Sequence, residues 1–358
     1  MEPGDLWLER IGARYGDRTP RIVQEETTDW WVSGSQRIMP LSPGTLVGKR
    51  FEDPEKLSRL ARASDVRPGA FLPGERIKDM DADGIAASVI YGSVAIALYH
   101  IHDLAMLTDL LRAYNDWIAE YCQAAPRRLK GIGLLNAEDV PSAVEELERC
   151  ARLGLAGGLI TTHLGTGDSY ADPRYEPLWD AAEKLAMPLG IHIGANRPGP
   201  DQQFSKNVIS MSFLTTYDYW VRVSLADIIF SGVFDRHPKL LIGSIEHELA
   251  WIPHWLERMD YAYTQKLRMP GRYTFKRAKV PSDYFQSNCF ASFQEDALGI
   301  RLRDIIGVHA MLWGSDYPHV ESTFPKSREI TARILKDCSN TEQALILHGN
   351  ASRVYHLE

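Results

Sequence analysis

The chain has 358 residues and a formal net charge of −7, from 40 Lys and Arg against 47 Asp and Glu. Its 44% hydrophobic and 24% charged residues are typical of a folded globular protein, which excludes disordered and fibrous classes. No basic run marks the sequence, so we expect no nucleic-acid partner and no binding to an anionic membrane surface.

The cysteines and the apolar segments indicate where the protein resides. Four scattered cysteines without a CxxC pair favour reduced thiols and therefore a cytoplasmic location. The residues after Met1 are not a basic stretch followed by an apolar one, so we expect no signal peptide. The uncharged run between Asp83 and Asp103 contains glycine, serine, tyrosine and histidine, which favours a buried strand and loop over a membrane span.

Beyond an N-terminal arm of about residues 1–75, rich in Trp and Pro, the sequence predicts regular alternation of strands and helices. In chain order we predict a strand at Ile85–Tyr91, a helix at Leu104–Cys122, a strand at Gly131–Leu135, a helix after Pro141, a strand at Gly158–Thr162, a helix around Leu178–Leu185, a strand at Pro188–Ile193, a helix near Trp220–Phe234, a strand at Leu240–Ile245, a helix at Trp251–Tyr261, a strand at Phe285–Phe290, a short helix, a strand at Ala310–Gly314 and C-terminal helices.

Apolar strands separated by helices predict a parallel sheet that is buried on both faces. No linker or low-complexity tract divides the chain, so we expect a single domain over residues 1–358. A doubly wound open sheet normally carries a glycine-rich phosphate turn, and no GxGxxG or Walker-type motif is found. The pattern therefore predicts an α/β fold of the (β/α)₈ TIM-barrel type, with about seven strands visible and one unaccounted for.

Polar side chains follow four of the predicted strands where each strand ends. They are His163, His192, His247 and Asp316. The carboxyl ends of barrel strands form the active face, so we expect these groups to converge there. Imidazole nitrogen and carboxylate oxygen are ligands for Zn²⁺ or a similar first-row ion. Each histidine taken alone is better explained by a structural hydrogen bond, and Asp316 alone by a cap of the following turn, so the metal hypothesis depends on their shared position at the strand ends.

Several motifs in this sequence resemble those of a known family. The segment 313–319, Trp-Gly-Ser-Asp-Tyr-Pro-His, is similar to the strand-eight motif of the amidohydrolase superfamily. More narrowly, the sequence resembles the amidohydrolase-related group typified by aminocarboxymuconate-semialdehyde decarboxylase. Further similar segments are 79–85, 114–117, 234–240, 246–253 and 350–355.

The resemblance implies a metal-dependent barrel enzyme and assigns roles by position. His192 would be the strand-five metal ligand. Asp316 would be the strand-eight aspartate, which binds metal and moves a proton. His247 would be the strand-six histidine that orients or protonates the reacting group. The implied cofactor is a divalent metal ion, Zn²⁺ first and Mn²⁺ as the alternative. His163 at the rim and His319 after Pro318 are predicted to contact substrate, with a plain structural contact as the alternative for each.

One departure from the family pattern concerns the first strand. The family's first strand ends in His-x-His or Asp-x-His just before a segment that resembles residues 2–7 here, and no histidine precedes His100. We expect Met1 to be an internal methionine, with the strand encoded upstream. The other interpretation is a relative with a weakened metal site, because His192 and Asp316 are two ligands where catalytic zinc sites have three. His100 and His102 have the His-x-His pattern, but they lie in a loop that follows a predicted strand. We therefore interpret this pair as part of a surface loop and not as metal ligands.

These observations predict a metal-dependent carboxy-lyase that decarboxylates a small aromatic or unsaturated carboxylic acid. A metal-dependent hydrolase of an amide, ester or lactone uses the same residue types and is the first alternative function. A metal-depleted, non-catalytic barrel is the second. The expected partner is a small-molecule substrate, and a homodimer is compatible with the sequence.

Overall fold

The structure of the protein is a computed structural model that describes residues 1–41, 46–52, 62–164, 168–197, 211–265, 274–276 and 279–357. The strands are β1 Arg21–Gln24, β2 Asp29–Ser33, β3 Gln36–Pro40, β4 Ser88–Ile90, β5 Leu129–Leu134, β6 Gly157–Ile160, β7 Leu189–His192, β8 Ile242–Ile245, β9 Cys289–Phe293 and β10 Met311–Trp313. Strands β1–β3 form an antiparallel sheet in the N-terminal arm, and β4–β10 form a parallel sheet.

The helices lie between these strands and after the last one. They are α1 Leu6–Tyr15, α2 Lys49–Glu52, α3 Pro73–Asp83, α4 Val94–Ala97, α5 Leu104–Gln123, α6 Val140–Arg152, α7 Glu176–Leu185, α8 Met211–Leu214, α9 Tyr219–Phe230, α10 Val233–Arg236, α11 Ile252–Gln265, α12 Pro281–Asn288, α13 Ala297–Arg301, α14 Arg303–Ile306, α15 Ser327–Ile334, α16 Asn340–Ala344 and α17 Asn350–Tyr355. Across the described ranges, no helix combines the length and apolar character that a bilayer crossing requires.

The parallel sheet has the strand order β10-β9-β8-β7-β6-β5-β4, so each strand pairs with its sequence neighbours. This is the order of a (β/α) barrel, and the predicted fold class is confirmed. Within the described residues β4 and β10 each pair on one side, so the sheet contains seven of the eight strands of a closed barrel. The register aligns His192 with Ile245, which brings the carboxyl ends of β7 and β8 to one level.

The close packing of the sheet requires glycine at particular positions. A Cβ atom on Gly243 in β8 would lie 2.1 Å from the ring of Phe290, and one on Gly190 in β7 would lie 3.0 Å from the ring of Tyr91. These distances leave no room for a larger residue at Gly243 without moving an aromatic side chain. The strands that carry the candidate site are therefore held against bulky neighbours.

The N-terminal arm packs onto the barrel and shares its core. Trp7 and Trp31 are fully buried, their rings lie 5.5 Å apart edge to face, and Trp7 Nε1 donates to the carbonyl of Leu110 in α5 at 3.0 Å. The buried Glu2 carboxylate accepts hydrogen bonds from backbone N–H groups at the start of α4, including that of Val94 at 2.8 Å. An anion at a helix N-terminus satisfies donors that the helix itself leaves free.

Two predicted elements differ from the structure. The strand expected at Phe285–Phe290 begins only at Cys289, because Pro281–Asn288 forms helix α12. Pro281 occupies the first helical turn, and the Asp283 carboxylate accepts from the Val280 N–H at 2.9 Å, so local capping overrides the apolar run. The helix expected near Trp220–Phe234 divides into α9 and α10 at Gly232, which has φ 74°.

A buried amide joins helix α5 to the sheet and supplies a test of the fold. The Nδ2 of Asn115 donates to Leu134 O at 3.1 Å and to Glu146 Oε1 at 2.6 Å, and its Oδ1 accepts from Leu134 N at 2.7 Å. Replacement of Asn115 by Leu would leave the Leu134 groups unpaired in the core. We expect N115L to lower the free energy of unfolding by about 1–3 kcal/mol in denaturant titration. Replacement of the exposed Gln123 on α5 by Leu should change the free energy of unfolding by less than about 0.5 kcal/mol. Equal effects of the two substitutions would contradict the structural role of Asn115.

Candidate metal centre and active site

The structure brings three of the predicted site residues to one cavity. His192 is the last residue of β7, and Asp316 and His319 follow β10. All three line a cavity of about 160 Å³ at the carboxyl ends of the strands, together with Glu246, which directly follows β8. Because parallel strands present these ends on one face, residues from distant parts of the chain meet there.

His192 and Glu246 form a close pair. The Nε2 of His192 lies 3.1 Å from Glu246 Oε2, and its Nδ1 lies 2.7 Å from the carbonyl oxygen of Ile193. A carbonyl only accepts, so Nδ1 carries a proton and donates it. Nε2 and the Glu246 oxygen can then be joined by a second ring proton or by a cation that both groups bind. Orientation of an imidazole ligand through its other nitrogen is common in metal sites.

His319 completes the cluster. Its Nδ1 lies 3.0 Å from Asp316 Oδ1 and 3.8 Å from Glu246 Oε1. One ligand atom from each of these three residues lies within 4.8 Å of the others, a spacing that can hold a metal ion. Burial alone lowers the pKa of His319, but the carboxylates of Asp316 and Glu246 outweigh it and raise the pKa to about 9.

The two carboxylates differ in their electrostatic surroundings. Burial raises the pKa of Asp316, and the negative charge of Glu246 raises it further. For Glu246 burial acts in the same direction, but the charge and hydrogen bond of His192 hold its pKa below the usual value. Two adjacent carboxylates whose pKa values are driven apart are a pattern of catalytic sites and of cation sites.

Backbone strain is concentrated at these strand ends. Glu246, Glu248 and Asp316 have φ angles of 64°, 55° and 53°, in the left-handed region that residues other than glycine rarely adopt. The N–H of Glu246 donates to the Ser292 hydroxyl at 2.8 Å, which helps to fix this turn. Strained residues of this kind cluster at functional sites, where the backbone places a side chain at a defined position.

His247 lies next to the cluster but lines a neighbouring cavity of about 380 Å³. It is 1% exposed, and its Nδ1 lies 3.2 Å from the Ser244 hydroxyl. In the described part of the chain its Nε2 has no hydrogen-bond partner. Burial, with a smaller contribution from His192, lowers the pKa of His247 to about 3. The ring is therefore neutral and has one free nitrogen to offer a ligand.

His163 lies away from the cluster. Its ring centroid is 3.7 Å from that of Trp220, which lines the same neighbouring cavity as His247. His100, from the pair interpreted as a surface feature, has its Nδ1 2.9 Å from the Ala97 carbonyl oxygen and is not part of the cluster.

Glu246 is the cluster residue that sequence reasoning missed. It stands between Ile245 and His247, directly after a buried strand, and that position was the available signal. The resemblance directed attention to His247, and the sequence alone did not show which of the two neighbours faces the cluster.

Comparison with known proteins finds relatives in sequence and in fold. A family model described as Amidohydrolase matches residues 29–357. The gamma-resorcylate decarboxylase of Rhizobium sp. (strain MTP-10005) is 29% identical over 252 residues, which cover 68% of this chain and 76% of that protein. The 2-amino-3-carboxymuconate-6-semialdehyde decarboxylase of Dictyostelium discoideum is 25% identical over 341 residues, 93% of this chain and 86% of that protein.

A solved structure with a similar fold contains a metal ion. The 5-carboxyvanillate decarboxylase of Novosphingobium aromaticivorans, crystallised with manganese and 4-hydroxy-3-methoxy-5-nitrobenzoic acid, superposes with a TM-score of 0.65. It is 25% identical to this chain, and the match covers 79% of each.

Proposed function

The chain belongs to the amidohydrolase family, and we propose that it is a metal-dependent carboxy-lyase that releases CO₂ from a small aromatic or unsaturated carboxylic acid. The observation that carries this proposal is the partly buried cluster of Glu246, Asp316 and His319 beside His192 at the strand ends. Its relatives decarboxylate aromatic and muconate-type acids, and the sequence predicts the same reaction class.

We propose that His192, Glu246 and Asp316 hold a divalent cation. The donors fit such an ion, because the Nε2 of His192, whose other ring nitrogen carries a fixed proton, faces the partly buried carboxylate of Glu246, and the Asp316 carboxylate lies beside that of Glu246. A bound cation there neutralises and orients the substrate carboxylate or an adjacent hydroxyl. Zn²⁺ and Mn²⁺ both accept imidazole and carboxylate ligands, and the two carboxylates shift the preference toward Mn²⁺.

In the proposed reaction Asp316 carries the proton. It delivers this proton to the ring carbon that bears the carboxylate, and the bond from that carbon to the carboxylate then breaks. The bonding electrons return to the ring and CO₂ departs, so that one acid and one proton give one decarboxylated ring and one CO₂. His319, whose Nδ1 is hydrogen-bonded to Asp316 Oδ2 at 3.1 Å, holds that carboxyl group in place.

His247 is proposed to orient the substrate. Its Nδ1 is next to the Ser244 hydroxyl, and its buried Nε2 is free to form a hydrogen bond with a polar substituent of the ring. Because the imidazole is neutral and enclosed, such a bond is made without competition from water.

His163 and His319 are proposed to contact substrate at the edges of the two cavities. The cytoplasmic location and the homodimer stay predictions from the sequence.

The activity is tested with a panel of hydroxybenzoates that includes 2,6-dihydroxybenzoate. We expect release of CO₂ and the matching phenol, loss of activity with a chelator, and recovery with Mn²⁺ or Zn²⁺. Chromatography of the phenol and metal analysis of the purified protein measure these outcomes and distinguish the two ions. Absence of CO₂ release from every hydroxyaryl and unsaturated acid tested with the metal-loaded protein would contradict the proposal.

The proposed metal ligands are tested by metal content. We expect His192→Ala and Asp316→Ala each to reduce the bound metal well below one equivalent, because each variant lacks one of three ligands. His254→Ala on α11, an exposed histidine, is the matched control and should retain full metal content. If the control and the site variants lose metal equally, this ligand set is wrong.

The role of His247 is tested separately from metal binding. We expect His247→Ala to keep the metal and to reduce kcat by roughly 10²–10⁴-fold, the usual contribution of a positioned acid–base or polarising group. Metal analysis and steady-state kinetics are run on the same preparation. Full activity of this variant would show that His247 does not act on the substrate.

A further inference from the structure

Helix α3 carries two buried carboxylates that the reaction steps above do not use. They are Asp79 and Asp83, in the segment 79–85 that resembles the family. Carboxylates are rarely buried without partners, because a charge taken out of water is costly. The partners of both reach the loop 314–326, which joins β10 to α15 and carries Asp316 and His319. We name this segment the site loop.

Asp79 contacts the first part of the site loop through Tyr317, the residue after Asp316. The Tyr317 hydroxyl donates to Asp79 Oδ2 at 2.5 Å, and the Arg67 guanidinium donates to both oxygens of the same carboxylate, at 2.7 and 2.6 Å. Burial acts to raise the pKa of Asp79, but the hydrogen bonds of Arg67 and Tyr317 outweigh it and hold the pKa below its usual value. Tyr317 is therefore bound to a charged acceptor, which makes the stronger kind of hydrogen bond.

The packing around Tyr317 leaves it little freedom. The guanidinium carbon of Arg76 lies 3.8 Å from the centroid of the Tyr317 ring, so the ring is held on its face as well as at its hydroxyl. On the other approach, a Cβ atom on Gly69 would lie 2.3 Å from both the Tyr317 hydroxyl and Asp79 Oδ2. A side chain held in this way also restrains the backbone beside Asp316.

Asp83 contacts the far end of the site loop through Ser327, the first residue of α15. The N–H of Ser327 donates to Asp83 Oδ1 at 2.9 Å, and its hydroxyl donates to Oδ2 at 2.5 Å. The same hydroxyl lies 2.6 Å from that of the buried Thr323, whose N–H donates to the Ser315 carbonyl at 3.1 Å. Hydrogen bonds thus lead from α3 to the residue before Asp316.

Asp316 depends on support from outside its own loop. Among the described residues its side chain is hydrogen-bonded to His319, which belongs to the site loop and moves with it. The backbone of Asp316 has the left-handed φ of 53°, and the negative charge of Glu246 acts on its carboxylate. A strained residue beside a like charge keeps its position only where surrounding contacts enforce it.

We propose that Asp79 is a positioning residue for Asp316, acting through Tyr317, and that Asp83 holds the other end of the same loop. This proposal rests on the proposed function, in which Asp316 is a metal ligand and the proton carrier. The two carboxylates of α3 keep the Asp316 carboxylate beside that of Glu246, where both bind the cation. Without either contact the site loop moves, so that metal binding weakens and proton transfer slows.

The test compares Tyr317→Phe, Asp79→Asn and Asp83→Asn with Asp81→Asn. Tyr317→Phe removes the hydroxyl and keeps the ring against Arg76. Asp81 is the matched control, because it is an exposed carboxylate of the same helix that pairs with Arg128 at 2.7 Å. Calorimetry of Mn²⁺ binding to the metal-free protein should show about tenfold weaker binding in the first three variants and a change below about twofold in the control.

Kinetics at saturating Mn²⁺ separate positioning from loss of metal. We expect kcat per bound metal to fall about tenfold in Tyr317→Phe and Asp79→Asn while KM changes less than about threefold, because the residues proposed to contact substrate are kept. Thermal unfolding sets a temperature at which every variant is folded. If Asp79→Asn does not fold, Tyr317→Phe decides the test.

A double variant shows whether Asp79 acts through Tyr317. Asp79→Asn combined with Tyr317→Phe should bind Mn²⁺ no more weakly than Asp79→Asn alone, because both changes break the same contact. Losses that add, or Mn²⁺ affinity and kcat unchanged in both single variants, would overturn the proposal.

The outcome for positioning is distinguishable from that for the reaction. Weaker Mn²⁺ binding in Tyr317→Phe and Asp79→Asn, with no CO₂ release from the unchanged protein, supports positioning and contradicts the decarboxylase proposal. CO₂ release from the unchanged protein, with full Mn²⁺ affinity and kcat in both variants, supports the reaction and overturns the positioning role.

Discussion

The close approach of two partly buried carboxylates at one end of the barrel is the constraint on which the site depends. Glu246 and Asp316 come from strands far apart in sequence and lie close enough for the charge of one to raise the pKa of the other. Charges taken out of water are costly unless they are paired. His192 and His319 supply part of that pairing, and a cation between the ligands would supply the rest.

The scaffold holds this arrangement through backbone rather than through long side chains. Left-handed turns at Glu246 and Asp316 place the carboxylates, and the Ser292 hydroxyl fixes one of the turns. Below them, glycine at position 243 allows an aromatic ring to approach the strand. Such rigid support keeps like charges together where flexible side chains would separate.

The two cavities at the strand ends have different linings. On one side of the shared strand ends, imidazoles and carboxylates gather around the proposed cation. On the other side, Tyr217 and Trp220 line the same cavity as His247, whose buried Nε2 has no hydrogen-bond partner in the described residues.

Local pattern was sufficient to predict most of the barrel. Helix α5 begins at the predicted residue because its apolar spacing and the Asp103 cap are encoded within the segment itself. The apolar run that ends at His192 likewise predicted β7, and with it the position of one residue of the candidate site. The strand predicted from Phe285 is wrong because a cap and a nearby proline favour a helix there. A hydrophobicity pattern does not include these local backbone preferences.

The choice between Glu246 and His247 required the folded chain. The two are adjacent in sequence, and which one faces the cluster depends on the register of β8 and on the turn that follows it. The contact of Trp220 with His163 joins segments that no sequence pattern connects. Periodicity thus indicates which residues are buried, because the direction of successive side chains along a helix or strand follows from local backbone geometry. The direction of a side chain beyond a strand end is decided by tertiary packing, because the partners that restrain it come from distant parts of the chain.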